Sequence, residues 1–255
     1  MSNERFDFKQ FHIMQDRCAM KVGTDGVLLG AWGETPGNKN EGTDKFRVLD
    51  IGTGTGLIAL MSAQRLTEKL SDHFLIDAIE IDAEAAAQAL ENITQSPWKD
   101  NINVIHTSLQ DFAISDAARS YHLIVSNPPF YNATLKPEDE ARSVARHKDS
   151  LPVAEIMQFA QFHLTPDGEL RLIYPTDYDS EVMTAATLAL LHPLCICDIV
   201  TKEGKAAKRR MISLALTSHP QKEIIRQTLC IRNKENAYTT EYLKLVQDFY
   251  LQLHS

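Results

Sequence analysis

The chain has 255 residues, of which 44% are hydrophobic and 24% charged, the balance of an ordinary globular protein with enough length to bury a core without disulfide or metal staples. No run approaches the roughly 20 uncharged apolar residues that span a bilayer. Met1–Phe11 carries Glu4, Arg5, Asp7 and Lys9 where a secretory leader would be apolar, so a cytoplasmic protein without a membrane partner is expected. A formal net charge of −8 excludes a surface that is basic all round, while leaving room for a local patch.

Glu34–Lys45 (ETPGNKNEGTDK) breaks any period with Pro, Gly and Asn and predicts a flexible loop. Beyond it, strand-like and helix-like runs alternate. Phe46–Ile51 predicts a buried strand and Leu57–Arg65 a helix. Phe74–Ile81 is a second strand, followed by the alanine-rich helix Ala83–Ile93. Ile102–His106 is a third strand, and Ser108–Phe112 opens a short helix or turn. Tyr121–Ser126 is a fourth strand, which stops at Asn127-Pro128-Pro129. Helix Val153–Leu164 leads through the turn Thr165-Pro166-Asp167-Gly168 to strand Glu169–Tyr174. This alternation predicts right-handed βαβ crossovers and a mainly parallel sheet with helices on both faces. Leu194–Val200 and Met211–Thr217 lie too close for a crossover helix and predict a hairpin, hence one antiparallel edge strand. Tyr242–Leu253 predicts a terminal amphipathic helix. The fold class is therefore α/β in one domain.

The four cysteines, Cys18, Cys195, Cys197 and Cys230, form no C-x-x-C pair, and the nine histidines are scattered. Reduced thiols and no metal are expected. Lys202–Arg210 (KEGKAAKRR) holds five basic residues and one acidic residue, between the two strands of the expected hairpin. From charge alone it reads as a solvated loop; a nucleic-acid contact is the competing reading.

The segment Asp50-Ile51-Gly52-Thr53-Gly54-Thr55-Gly56 joins a strand to a helix. Its glycines allow positive φ and close ligand approach, and the helix start offers free N–H groups. The third glycine comes one position too early for the dinucleotide fingerprint, and no Lys-Ser/Thr follows as in a P-loop. Asp50 would repel a pyrophosphate but accept hydrogen bonds from an ammonium, which points to S-adenosylmethionine. Glu80, and after it Asp82, stand at the tip of the next strand, where a carboxylate can accept ribose hydroxyls. Asp82 also reads as a plain helix cap. Asp111 and Phe112 follow the third strand, where an adenine would find a carboxylate for its amino group and a ring to stack on.

Asn127-Pro128-Pro129-Phe130 ends the fourth strand at the edge where open α/β sheets bind ligands. The prolines fix the backbone and remove donors. The Asn127 amide oxygen and the Pro128 carbonyl can accept two hydrogens from a planar amino group, with Phe130 as a stacking face.

These two motifs together resemble the class I amino-methyltransferases that modify adenine N6, guanine N2 or glutamine N5. Phe8-Lys9-Gln10-Phe11, Asp16–Trp32, Glu91–Trp98 and the closing segment narrow the resemblance to the bacterial tRNA1(Val) adenine-N6 methyltransferases, essentially end to end. The resemblance implies a class I methyltransferase, Rossmann-like sheet in which residues 1–45 extend over the cofactor site and 46–255 form the catalytic core. It implies methylation of the adenosine on the 3′ side of the tRNA anticodon, with Thr24 and Asp25 covering S-adenosylmethionine and no obligate protein partner. The place of the basic loop on the hairpin beside the active edge favours RNA contacts from Lys202, Lys205, Lys208, Arg209 and Arg210, and Asn132–Ser150, which follows the catalytic segment, allows a lid over the RNA. One position departs: the family form ends the tetrapeptide in Tyr, where this chain has Phe130, as rRNA guanine-N2 enzymes do. A glutamine-N5 enzyme acting on protein would carry a helical domain before the glycine turn, and a DNA adenine enzyme an added recognition domain. A binding module without chemistry would not need the paired acceptors of Asn127 and Pro128.

Overall fold

The computed structural model describes residues 4–18, 21–34, 45–115, 119–130, 151–218 and 223–252. The chain opens with a small antiparallel pair, β1 (Arg5–Asp7) and β2 (His12–Met14), then helix α1 (Thr24–Ala31). Next come β3 (Phe46–Ile51), α2 (Leu57–Leu70), β4 (Phe74–Glu80), α3 (Ala83–Thr94), β5 (Ile102–His106), α4 (Leu109–Ser115) and β6 (Tyr121–Ser126). Helix α5 (Val153–His163), β7 (Leu164–Pro175), α6 (Asp179–Leu188), β8 (Leu191–Lys202), β9 (Arg209–Leu216), β10 (Ile225–Arg232) and α7 (Thr240–Val246) complete it. Among the described residues no helix is long and apolar enough to cross a membrane.

Among the described residues eight strands form one sheet in the order β10-β8-β9-β7-β6-β3-β4-β5, and β9 alone of these runs against its neighbours. The antiparallel strand of the expected hairpin is therefore near one edge of the sheet, with β8 and β10 beyond it. Alternation along β3 feeds two cores: Phe46 and Val48 pack with α1, α2, α3 and α7, whereas Leu49 and Ile51 pack with α4, α5 and α6. Each fully buried Leu, Ile or Phe contributes about 1.5–3 kcal/mol by leaving water.

Several elements differ from the sequence reading for local reasons. Thr165–Gly168 is no separate turn but an irregularity within β7, where the register with β6 jumps from Tyr121↔Leu164 to Leu123↔Glu169. The first half of β10 is exposed and only Leu229 and Ile231 are buried, so it lacks the alternation that announces a strand. The terminal helix stops at Val246 because the chain after it turns back to the start: Lys9 N donates to Phe249 O at 2.8 Å, and Phe8 bridges Tyr250. Asn132–Ser150, and most of the Glu34–Lys45 loop, lie outside the described residues.

The parallel register sets Ile51 level with Ile79 on one side and Ser126 on the other. From β3 the chain crosses to β4 on one side and later returns to β6 on the other. The glycine turn, Glu80 and Asn127 consequently emerge together at the crevice that such a reversal opens.

Candidate active site

A cavity of about 1020 Å³ opens at this edge. Its floor is the glycine turn. Gly52 and Thr53 donate to Ile79 O at 2.9 and 3.0 Å, and Gly56 donates to Thr53 O at 2.9 Å. Gly52, Gly54 and Gly56 have φ of 70°, 57° and 82°, where an L side chain costs about 1–2 kcal/mol. A Cβ on Gly52 or Gly54 would meet no protein atom within 4 Å, and both residues line the cavity. Gly56 has another task. Its absent Cβ would sit 3.4 Å from Ile93 and 3.6 Å from Ala89, so it brings the turn against α3 and lies outside the lining.

Asp50 is buried and does not line the cavity. Its Oδ2 accepts from Thr53 Oγ1 at 2.6 Å and from Ala59 N at 3.1 Å, tying the turn to α2. Its Oδ1 is buried without a partner among the described residues. Burial pushes the carboxyl up from 3.8 to about 7, against the pull of those two hydrogen bonds and with the nearby Glu80 charge adding to the rise. Glu80 does line the cavity. Its Oε2 accepts from Gly54 N at 2.8 Å and its Oε1 from Asp82 N at 3.0 Å, so this carboxylate also fixes the turn. Asp82 lines the cavity while capping α3, accepting from Ala85 N at 2.8 Å. The buried Cys18 thiol beside them is pushed up to about 11, by burial first and then by the Glu80 and Asp82 charges.

Asp111 and Phe112 do not reach the cavity. Helix α4 begins at Leu109, and its turn of about 100° per residue presents Leu109 and Gln110 to the cavity instead. Asp111 exchanges hydrogen bonds with Ser108, and Phe112 is buried against Phe159 at 6.3 Å. Ile81, missed by the sequence reading, lines the cavity while 59% exposed. An apolar residue between two carboxylates at a strand tip was the available signal.

Thr24 and Asp25, in the first turn of α1, reach the cavity from the N-terminal segment. Asn92 fastens that segment: it accepts from Met14 N at 2.8 Å and donates to Met14 O and Thr55 O, both at 2.9 Å. At the other end of α1, Arg65 donates to Gly30 O, Trp32 O and Gly33 O, and Arg171 to Trp32 O and Glu34 O. These guanidiniums satisfy carbonyls that a helix end leaves open.

On the far wall, Ser126 Oγ donates to Ile51 O at 2.8 Å and locks β6 to β3. Asn127, Pro128, Pro129 and Phe130 follow, all lining the cavity. Among the described residues the Asn127 amide has no hydrogen-bond partner. The Phe130 ring packs 4.9 Å from Tyr178 and 6.2 Å from Tyr174.

The basic hairpin divides. Arg209 lines the cavity and donates to Asp25 Oδ2 at 2.8 Å. Arg210 is held between Asp198 and Asp179 with its side chain only 18% exposed, which removes it from the solvent-facing cations. Lys205 and Lys208 are exposed, and Lys202 is half-buried.

The residues present fit S-adenosylmethionine. Gly52 and Gly54 form a cradle that side chains would fill, Glu80 and Asp82 offer acceptors beside it, and the volume leaves space for a second ligand against Asn127. Among the described residues no group of His, Cys, Asp or Glu could hold a metal ion.

The methyltransferase small domain family model matches residues 38–191. Over 253 residues the chain is 40% identical to a tRNA1(Val) (adenine(37)-N6)-methyltransferase of Aeromonas salmonicida strain A449, covering 98% of this chain and 99% of that one. It is 41% identical to a protein of the same name from Bacteroides thetaiotaomicron, covering 99% and 100%. Among solved structures, a predicted O-methyltransferase from Agrobacterium tumefaciens superposes with a TM-score of 0.65 at 16% identity, covering 88% of this chain and 96% of that one. That likeness speaks for the fold alone.

Proposed function

The chain belongs to the methyltransferase small domain family and, within it, to the tRNA1(Val) (adenine(37)-N6)-methyltransferases, and from this premise we propose that it transfers a methyl group from S-adenosylmethionine to N6 of adenosine 37 in tRNA1(Val), in the cytoplasm. The observation that carries the chemistry is the Asn127 amide, which has no partner among the described residues and lines the same cavity as Gly52 and Gly54.

Adenine N6 is a poor nucleophile because its lone pair is delocalised into the ring. Asn127 Oδ1 and the Pro128 carbonyl accept its two hydrogens and draw the nitrogen toward tetrahedral geometry, which frees that pair. Pro129 has no N–H to compete for the acceptors. S-adenosylmethionine, when bound, supplies a methyl already activated by its sulfonium, so alignment does most of what the protein must do. Glu80 and Asp82 would hold the ribose hydroxyls of the cofactor, and Thr24 and Asp25 would cover it from the N-terminal segment. The surplus proton leaves to water without a general base. Swinging the adenosine out of its stack costs a few kcal/mol, and stacking on Phe130 returns about 1–3 kcal/mol.

The test is a tritiated-cofactor assay offering bulk tRNA, rRNA, DNA and release factor, followed by nucleoside analysis. N6-methyladenosine in tRNA alone is expected. Label in N2-methylguanosine or in protein would replace the proposed substrate.

A further inference from the structure

Arg210 was expected among the RNA-gripping cations, and its surroundings give it other work. In register, Arg210 of β9 lies between Tyr174 of β7 and Asp198 of β8, so the three form one row across the sheet. Its Nε donates to Asp198 Oδ1 at 2.7 Å, and its Nη1 pairs with Asp179 Oδ1 at 2.6 Å. The same Asp179 oxygen accepts the Tyr174 hydroxyl at 2.9 Å. Asp179 opens α6, where the helix dipole favours a carboxylate.

Tyr174, which this carboxylate holds, and Tyr178 both pack on Phe130 of the catalytic wall. Tyr174 is 1% exposed, lines the cavity and packs on Phe130. Tyr178, the residue before Asp179, packs more closely on the same ring, at 4.9 Å. Phe130 has no polar atom of its own, so its plane is set by what surrounds it. The chain Asp198–Arg210–Asp179–Tyr174 thus runs from the sheet to the ring on which the target base stacks.

We propose that Arg210 is a positioning residue: acting through Asp179 and Tyr174, it fixes the Phe130 ring so that the base is held flat with its amino group on Asn127. The role rests on the methyltransferase reading above. A guanidinium is needed because two carboxylates on different elements must be met at once in a planar fork; an ammonium reaches one of them as a point charge.

The experiment uses the full chain and an anticodon stem-loop, with 2-aminopurine at the target position for the fluorescence arm. Arg210→Met and Asp179→Asn are expected to lower kcat about tenfold to a hundredfold, the scale of a small misplacement, while KM for RNA stays within about twofold. Both should lose the quenching that stacking on Phe130 gives. Arg210→Lys should recover part of kcat. Should Arg210→Met not fold, Tyr174→Phe keeps the ring and deletes only the hydroxyl, and it should show the same split in milder form. A raised KM with kcat unchanged in Arg210→Met would make Arg210 a phosphate contact and overturn the proposal. Unchanged kcat and quenching in Tyr174→Phe would overturn it too. Where wild type is inactive on the stem-loop the kinetics are read on intact tRNA1(Val), and inactivity there would overturn the functional reading itself, and this role with it.

Discussion

Arg209 Nε donates to Asp25 Oδ2 at 2.8 Å, joining the start of β9 to the first turn of α1. Both side chains line the cavity, so a residue read as an RNA contact and one read as a cofactor cover share a single ion pair. The pair is partly exposed on both sides, 43% and 34%, and pairs of that kind contribute only about 0–1 kcal/mol to stability.

The division of the basic hairpin predicts separable effects. Lys205→Ala and Lys208→Ala should weaken RNA binding without altering cofactor affinity, each flattening the salt dependence by about one counterion. Arg209→Ala should weaken both ligands while leaving the melting temperature nearly unchanged. Calorimetry with S-adenosylmethionine and filter binding with tRNA at several salt concentrations separate the two. A double lysine variant with an unaltered salt slope would make the loop a solvated hairpin and nothing more.

Asn127→Ala should remove methyl transfer while cofactor binding survives. Deleting one preorganised hydrogen-bond partner of a reacting group costs on the order of a hundredfold to a thousandfold in kcat. Its side chain has no described partner in the protein, so folding should be little affected. Parallel calorimetry and single-turnover methyl transfer decide the matter. Equal loss of both would take the residue out of the chemistry and put it in the architecture.

The glycines of the turn should behave differently from one another. Alanine at Gly54 costs about 1–2 kcal/mol of backbone strain, or a few degrees of melting temperature, and meets no protein atom. The new methyl enters the cavity, so S-adenosylmethionine affinity should fall far more than stability. At Gly56 the strain is similar, but the Cβ meets Ile93 and Ala89, and stability should fall at least as far as affinity. Thermal melts and cofactor titrations on the two variants check this. Indistinguishable profiles would mean that the turn acts as one rigid unit.

The sequence carries the site where function depends on backbone order along one strand end. The spacing of Gly52, Gly54 and Gly56, the tip position of Glu80 and the Asn-Pro-Pro-Phe stop after β6 are local patterns, and the cavity collects them. Side-chain direction over a helix start is less legible. A shift of one residue in where α4 begins decides that Gln110 faces the cavity and Phe112 the core. Partnerships across long sequence distances are not legible at all. Nothing near Arg210 in the chain announces Asp179, and the acidic residue before Gly52 gives no sign that Thr53 and Ala59 will occupy one of its oxygens. The missed β10 and the early end of α7 share that origin, since tertiary pairing outweighs the local pattern there.

Asp50 makes a prediction about pH whose sign follows from its burial. Its carboxyl is raised from 3.8 to about 7 in the folded protein, because burial disfavours the charge more than Thr53 and Ala59 stabilise it. The unfolded chain releases that proton near its ordinary value, so between those limits the folded state holds more protons than the unfolded one. Stability from this group is then fully present below about pH 4 and is lost as pH rises through 7, on the order of a few kcal/mol across the window. Asp50→Asn keeps an acceptor for Thr53 or Ala59 and cannot ionise. Its melting temperature relative to wild type should therefore climb between pH 5 and about 7.5 and level off above, where wild type carries the full cost of a buried charge whose Oδ1 has no partner among the described residues. Melts of both proteins across that range test it. A difference that stays flat with pH would mean that Asp50 is ionised throughout, held so by a partner for Oδ1 such as a bound water or ion.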